Sequence, residues 1–201
     1  MFVRKQPRQQ RSREMVERII GASAELLRAE GYEGFSTNRV AREAGVSPGS
    51  LYQYVPDKSA LVDEVIDRWS VEVSERVAAA LAQRVGEQGP GMVRGVVETL
   101  VAALEADTAL LRIVLVELPP ARTRASLLAL EQRVRELLTA YLGGRTPGST
   151  EEHASRAWVS VLAVENLVVR WVLDAPDIPR DRFVDEVVSL GTTYLALASP
   201  S

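Results

Sequence analysis

Apolar residues recur along this chain at intervals of three and four, and Gly and Pro interrupt the recurrence often enough to divide it into helices. The first helix is predicted over residues 12–30, with Val16, Ile19, Ile20, Ser23 and Leu27 on one face and Gly31 just beyond its end. Two short helices follow. Ser36 or Thr37 can cap the first, Val40, Ala41 and Ala44 give it an apolar stripe, and Gly45 supplies a left-handed end; Ser47 caps the second, with Pro48 at its first position. Asp57 caps a long helix carrying Leu61, Val65, Trp69, Val73 and Val77 toward a glycine cluster at 86–91. Further helices are predicted over 92–105, over 108–118 up to Pro119-Pro120, and over 127–142 before Gly143-Gly144. Ser149 with Glu152 forms a capping box opening an apolar helix to about residue 173, and Pro176 and Pro179 separate it from a last helix ending near residue 198. No segment shows sustained strand alternation, so the fold class is all-α.

The two short helices around Gly45 form the arrangement by which a protein presents one helix to the major groove of DNA. Leu51 and Val55, four apart, face the preceding helix, which leaves Gly49, Ser50, Tyr52, Gln53 and Tyr54 on the outward surface. An ordinary helical hairpin with half-buried tyrosines is the plainer alternative. The residues before it favour DNA: Arg4, Lys5, Arg8, Arg11 and Arg13 occur in the first thirteen positions with no acidic residue among them. Such an arm is expected to be disordered in isolation, attracted to a polyanion and drawn into the minor groove of DNA. No apolar stretch follows these charges, so the arm does not read as a signal peptide.

Charge distribution changes how the net value of −3 is read. Residues 1–58 hold ten Lys and Arg against seven Asp and Glu, while the other residues carry fourteen against twenty. A basic head on an acidic body lets the head touch phosphate while the body stays clear of it. The chain has 201 residues, enough for a sizeable core. It has no cysteine, which excludes disulfides, thiolate metal sites and thiol catalysis and fits a cytoplasmic location. No apolar run reaches the roughly 18 residues needed to span a bilayer, so no membrane partner is expected.

From Ile19 to Leu61 the chain resembles the TetR family of bacterial transcriptional regulators. The resemblance is carried by Ile19, Ile20, Ala22, Ala24, Leu26, Leu27, Gly31-Tyr32, Thr37, Val40-Ala41, Ala44-Gly45-Val46-Ser47, Gly49, Leu51-Tyr52, Tyr54, Lys58 and Leu61. Val40 and Val55 stand where Ile and Phe are commoner, and both remain apolar. The resemblance implies about nine helices: an N-terminal three-helix helix-turn-helix DNA-binding domain with its basic arm (1–58), then a larger helical ligand-binding and dimerisation domain (59–201). It also implies repression as the usual mode, and a C-terminal part that diverges with the ligand sensed.

On that frame Thr37 and Lys58 are expected to hold phosphates, while Pro48, Gly49 and Ser50 let the helix sit deep in the groove. Tyr52 can bond phosphate with its ring against a thymine methyl, beside Tyr54. Gln53 is the expected base reader, since its amide can pair bidentately with adenine for about 1–3 kcal/mol of discrimination. Asn38 stands where the family pattern approaches the groove edge.

Specific binding needs two heads, hence a homodimer on double-stranded DNA carrying a palindromic operator. The expected interface uses Val161, Leu162, Glu165, Asn166 and Val169 of the apolar helix with Phe183, Val187, Leu190 and Tyr194 of the last one. Glu165-Asn166 reads either as a register-fixing polar pair or as a pocket wall. Trp69, Met92, Leu104, Arg112, Glu117 and Trp158 are candidates for an unknown small-molecule ligand, an anionic one if Arg112 points inward. No cofactor or metal is expected. An all-helical enzyme is the competing class, opposed by the lack of a phosphate loop, a serine elbow or a metal-binding Glu-x-x-His repeat; the lone His153 reads as a solvated helix-start residue. A helical scaffold without DNA binding is a third.

Overall fold

Helix-forming stretches, caps and breakers translate into nine α-helices and no strand among the described residues of this computed structural model, which describes residues 6–84, 86–87 and 89–195. Two compact units result. The first comprises residues up to Trp69 together with 112–123, and the second comprises 70–111 and 124–201.

In the first unit, α1 (Gln6–Gly34) begins earlier than the periodicity suggests. Gln and Arg are good helix formers and Pro7 falls in the first turn, so the helix extends through the basic segment. Arg8, Arg11 and Arg13 therefore belong to α1 rather than to an unstructured arm, while Arg4 and Lys5 lie outside the described residues. The helix breaks at Gly31, where φ is 68°. Ile19, Leu26 and Leu27 bury its apolar face. Helix α2 (Thr37–Glu43) starts after Ser36, whose side chain makes no capping bond. It ends as the left-handed glycine requires: Gly45 has φ 66°, its N–H donates to Arg42 O, and the Val46 N–H donates to Ala41 O at 2.9 Å. Helix α3 (Pro48–Tyr52) is capped by Ser47, whose Oγ accepts from the Ser50 N–H at 3.1 Å. It is short; Gln53 and Tyr54 already lie in the turn beyond it.

Helix α4 (Lys58–Gln83) starts with the Asp57 cap, which accepts from the Ala60 N–H at 2.9 Å. Leu61, Val62, Val65 and Ile66 complete the first unit's core. Arg68 on α4 donates to Glu17 at 2.6 and 3.0 Å and to Glu64 at 2.7 Å, which holds the Glu17 carboxyl below its usual range. The same continuous helix carries on into the second unit.

That unit contains the rest of α4, with α5 (Pro90–Glu105), α6 (Thr108–Arg112) up to residue 111, most of α7 (Pro120–Gly143), α8 (Thr150–Asp174) and α9 (Arg180–Leu195). The expected 108–118 helix is shorter than its pattern: it ends at Arg112 and passes into a π-turn at Ile113–Glu117, with the Leu118 N–H bonded to Ile113 O at 3.0 Å. Pro120 starts α7 instead of only ending its predecessor, a position where its missing N–H costs nothing. The capping box at Ser149 and Glu152 forms in both directions, at 3.2 and 2.7 Å. Helix α9 runs close to α5 at Gly191, where a Cβ would lie 3.2 Å from a Val93 methyl. The expected end of α9 near residue 198 lies outside the described residues. None of the described helices is long and apolar enough to cross a membrane.

Candidate functional site

In the first unit the residues expected to contact DNA from α2, α3 and the start of α4 can be placed one by one. Leu51 and Val55 anchor α3 from behind, Leu51 fully buried, and Pro48, Gly49, Tyr52, Gln53 and Tyr54 are exposed as the i, i+4 spacing requires. Tyr52 is 51% exposed yet oriented, because its hydroxyl lies 3.0 Å from Thr37 Oγ1. That contact ties the N-terminus of α2 to the end of α3, so the two hydroxyls form one polar element. Ser50 Oγ lies 2.9 Å from Ser47 Oγ, and Asn38 is exposed one residue beyond Thr37.

Lys58 is held more tightly than its sequence context suggests. Its Nζ donates to the Tyr32 carbonyl at 2.7 Å and stands 4.2 Å from the centre of the Tyr32 ring. A lysine has three donors, so this bond leaves two available. Behind this face Arg39 pairs with Glu30, and Glu117 accepts from the Tyr32 N–H at 2.8 Å. Glu117 was expected to flank a ligand; the π-turn carries it instead against the broken end of α1, within the first unit. Arg112 is likewise exposed and belongs to the first unit.

The second unit holds a cavity of about 90 Å³, partly open to solvent and lined by α4, α5, α7, α8 and α9. Val77 and Leu81, Met92, Val97 and Leu100, and Val134 and Leu138 make it apolar. Of the expected ligand residues, Met92 lines it. Trp69, Leu104, Arg112, Glu117 and Trp158 do not. Trp69 is buried in the first unit, two turns before Val77 on α4. Leu104 packs in the core of the second unit, and Trp158 is 50% exposed beside Arg135 and Glu136 in a shallow groove between α7 and α8.

Three polar side chains reach the cavity: Glu131, Ser160 and Glu165. Burial, reinforced by the charge of Glu131, pushes the Glu165 carboxyl up to about 7. Ser160 is buried and its Oγ has no hydrogen-bond partner. Glu165 is thus a pocket wall, whereas Asn166 beside it is exposed, which separates the expected polar pair. Glu131 and Ser160 escaped the sequence reading because each sits among apolar neighbours on a helix that also carries many solvated polar residues.

The expected interface residues divide in the same way. Val161 lines the cavity, Phe183 stacks on Trp171 with centroids 5.0 Å apart, and Val187 is buried. Phe183 and Val187 are turned inward by the packing of α9 on α5 and α8, while Val161 is partly exposed. Leu190 and Tyr194 are exposed, Leu162 and Val169 partly so. His153 is not solvated: it is 4% exposed, with Nε2 3.1 Å from Thr146 Oγ1 and 3.2 Å from Thr146 O.

A helix-turn-helix in one unit and a helical second unit with a partly open cavity define a two-unit, all-α protein. The chain belongs to the TetR family: residues 19–65 match the profile of the bacterial regulatory proteins of the tetR family, and residues 90–195 match the tetracyclin repressor-like C-terminal domain. It is 45% identical over 53 residues to the HTH-type transcriptional repressor DrrR1 of Streptomyces coeruleorubidus, a match covering 26% of this chain and 20% of DrrR1. The chain thus spans about a fifth of that relative's length in the match. In fold it resembles a TetR-family transcriptional regulator from Streptomyces coelicolor, with a TM-score of 0.70, 16% identity, and 90% of this chain and 82% of that one covered. It also resembles the multidrug binding protein EbrR complexed with imidazole, with a TM-score of 0.69, 20% identity, and 92% and 96% covered.

Proposed function

We propose that this chain is a transcriptional regulator, a repressor that binds a palindromic operator as a homodimer and is released by a small molecule. The observation that carries the reading is the exposed surface from Pro48 to Tyr54, anchored by Leu51 and Val55 and joined to Thr37 through Tyr52. An exposed tyrosine fixed by a hydrogen bond, beside small residues that admit close approach, suits a groove surface better than a solvated hairpin. DrrR1 is named a repressor and EbrR a multidrug binding protein, which supports repression and ligand release here. The exposed Leu190 and Tyr194, with Leu162 and Val169, offer apolar area for a second copy. Such a regulator acts in the cytoplasm, where the DNA is.

Selection of bound duplexes from a random pool tests class, symmetry and readout together. The expected consensus is an inverted repeat with half-sites about one helical turn apart, roughly 34–36 Å. Gln53→Ala relaxes preference at one position in each half-site, while Lys58→Ala weakens all sequences alike and lowers the salt dependence by about one phosphate contact. A consensus without a dyad refutes the dimeric reading, and a Gln53 variant that keeps the full consensus removes that residue as a reader.

A further inference from the structure

The cavity's chemistry narrows the ligand class, on the reading that the chain is a ligand-responsive regulator. Among the described residues no Lys, Arg or His lines it, and its ionisable groups are Glu131 on α7 and Glu165 on α8. Neither carboxylate has a hydrogen-bond or ion-pair partner among the described residues. Between them in function stands Ser160, more than nine-tenths buried, whose Oγ lies unpartnered at the same wall. A buried hydroxyl without a partner is costly, and two carboxylates facing one apolar space repel each other. One kind of ligand relieves both: a positive charge with N–H donors at the end of a hydrocarbon body.

We propose that the cavity binds an apolar organic amine as its ammonium ion, with the charge toward Glu131 and Glu165, an N–H donated to Ser160 Oγ, and the hydrocarbon against Val97, Leu100 and Leu138. Charge-assisted hydrogen bonds are about twice as strong as neutral ones, which sets the ammonium above an alcohol of the same shape. A carboxylate ligand meets two like charges and no cation, the reverse of the preference an inward Arg112 would have imposed. The space itself adds a consequence. At about 90 Å³ the cavity is smaller than the about 150 Å³ that holds a benzene molecule, so a hydrocarbon drawn wholly inside must spread its walls, Val77 and Leu81 on α4 among them. A ligand that fits only a spread conformation shifts the population toward it.

Calorimetric titration of the full chain at neutral pH with octylammonium, octanol and octanoate tests the class, since the three share one hydrocarbon body. Octylammonium is expected to bind at least about tenfold tighter than octanol, with octanoate weakest. Replacing both carboxylates, Glu131→Gln with Glu165→Gln, should erase that preference while leaving octanol binding, which also shows the variant folded; Ser160→Ala should weaken octylammonium and spare octanol. Equal affinities, a preference that survives loss of both carboxylates, or no octylammonium binding at about 1 mM, the weak limit of a useful site, overturns the proposal. Operator affinity measured beside each titration keeps the two readings apart. Selective octylammonium binding that leaves DNA affinity unchanged upholds the ligand class and refutes the regulator's response, whereas release by octanoate or octanol alone does the opposite.

Discussion

The surface proposed to meet DNA and the cavity use opposite sides of their helices. On α3 and the turn that follows it the anchor residues Leu51 and Val55 point in, while Tyr52, Gln53 and Tyr54, the proposed DNA contacts, point out. On α7 and α8 the groups with chemistry, Glu131, Ser160 and Glu165, point in, among the very side chains that pack the unit. An outward site borrows its precision from a core behind it and is sensitive to that core. An inward site is part of the core, so every change to it trades ligand contact against packing.

The largest effects should come from breaking the support of the outward site. Leu51→Ala removes a fully buried side chain beneath the exposed aromatics and should cost about 2–5 kcal/mol of stability, with loss of operator binding. Val97→Ala, equally buried but beside existing space, should cost only about 1–2 kcal/mol and enlarge the ligand cavity. Urea denaturation with operator and ligand titrations on both variants checks the contrast. If Val97→Ala proves as costly as Leu51→Ala, the cavity wall is not the softer of the two.

The same contrast explains what the sequence discloses. The outward face was legible because its signals are local: Gly45 ends one helix, Ser47 and Pro48 start the next, and the tyrosines fall off the apolar stripe. The capping box at Ser149 was legible for the same reason. The cavity was not, because five helices brought together from distant positions decide which valine faces space and which faces another side chain. Arg112 and Glu117 show the limit most clearly: flanking an apolar run they read as pocket charges, yet the π-turn between them, which no local pattern announces, places both in the first unit. His153 was misread on the same account, since its partner Thr146 lies before the capping turn rather than within the helix.

Glu165 offers a test of intermediate size. Its carboxyl titrates at about 7 in the folded chain against 4.5 without the fold, because burial and Glu131 disfavour its charge. Around it α4, α5 and α9 bring only apolar side chains to the cavity, and α7 brings Glu131. The folded state therefore holds the proton more tightly. Its contribution is fully favourable below 4.5, declines as pH rises toward about 7, and stays at its low value above that. Glu165→Gln, which cannot ionise, should be more stable than the parent by about 1–3 kcal/mol above neutrality and nearly equal to it near pH 4.5. Urea midpoints across that range measure the difference. A stability gap independent of pH would mean that water reaches this carboxyl as freely as it reaches the exposed surface.

The smallest expected effects compare the two units through one backbone feature. Both contain a helix that ends on a left-handed residue: Gly45 after α2, with φ 66°, and Ala175 after α8, with φ 45°. A methyl group added at Gly45 meets nothing within 4 Å, so Gly45→Ala isolates the conformational cost and should destabilise by about 1 kcal/mol. Ala175 already bears that cost, and the Pro176 that follows prevents the helix from continuing. Ala175→Gly should therefore stabilise by a few tenths of a kcal/mol, the relief of strain being partly offset by greater freedom in the unfolded chain. Opposite signs in paired thermal melts are the expected outcome. Should Ala175→Gly also destabilise, the left-handed turn after α8 is held by its packing rather than endured, and the two helix ends are not equivalent.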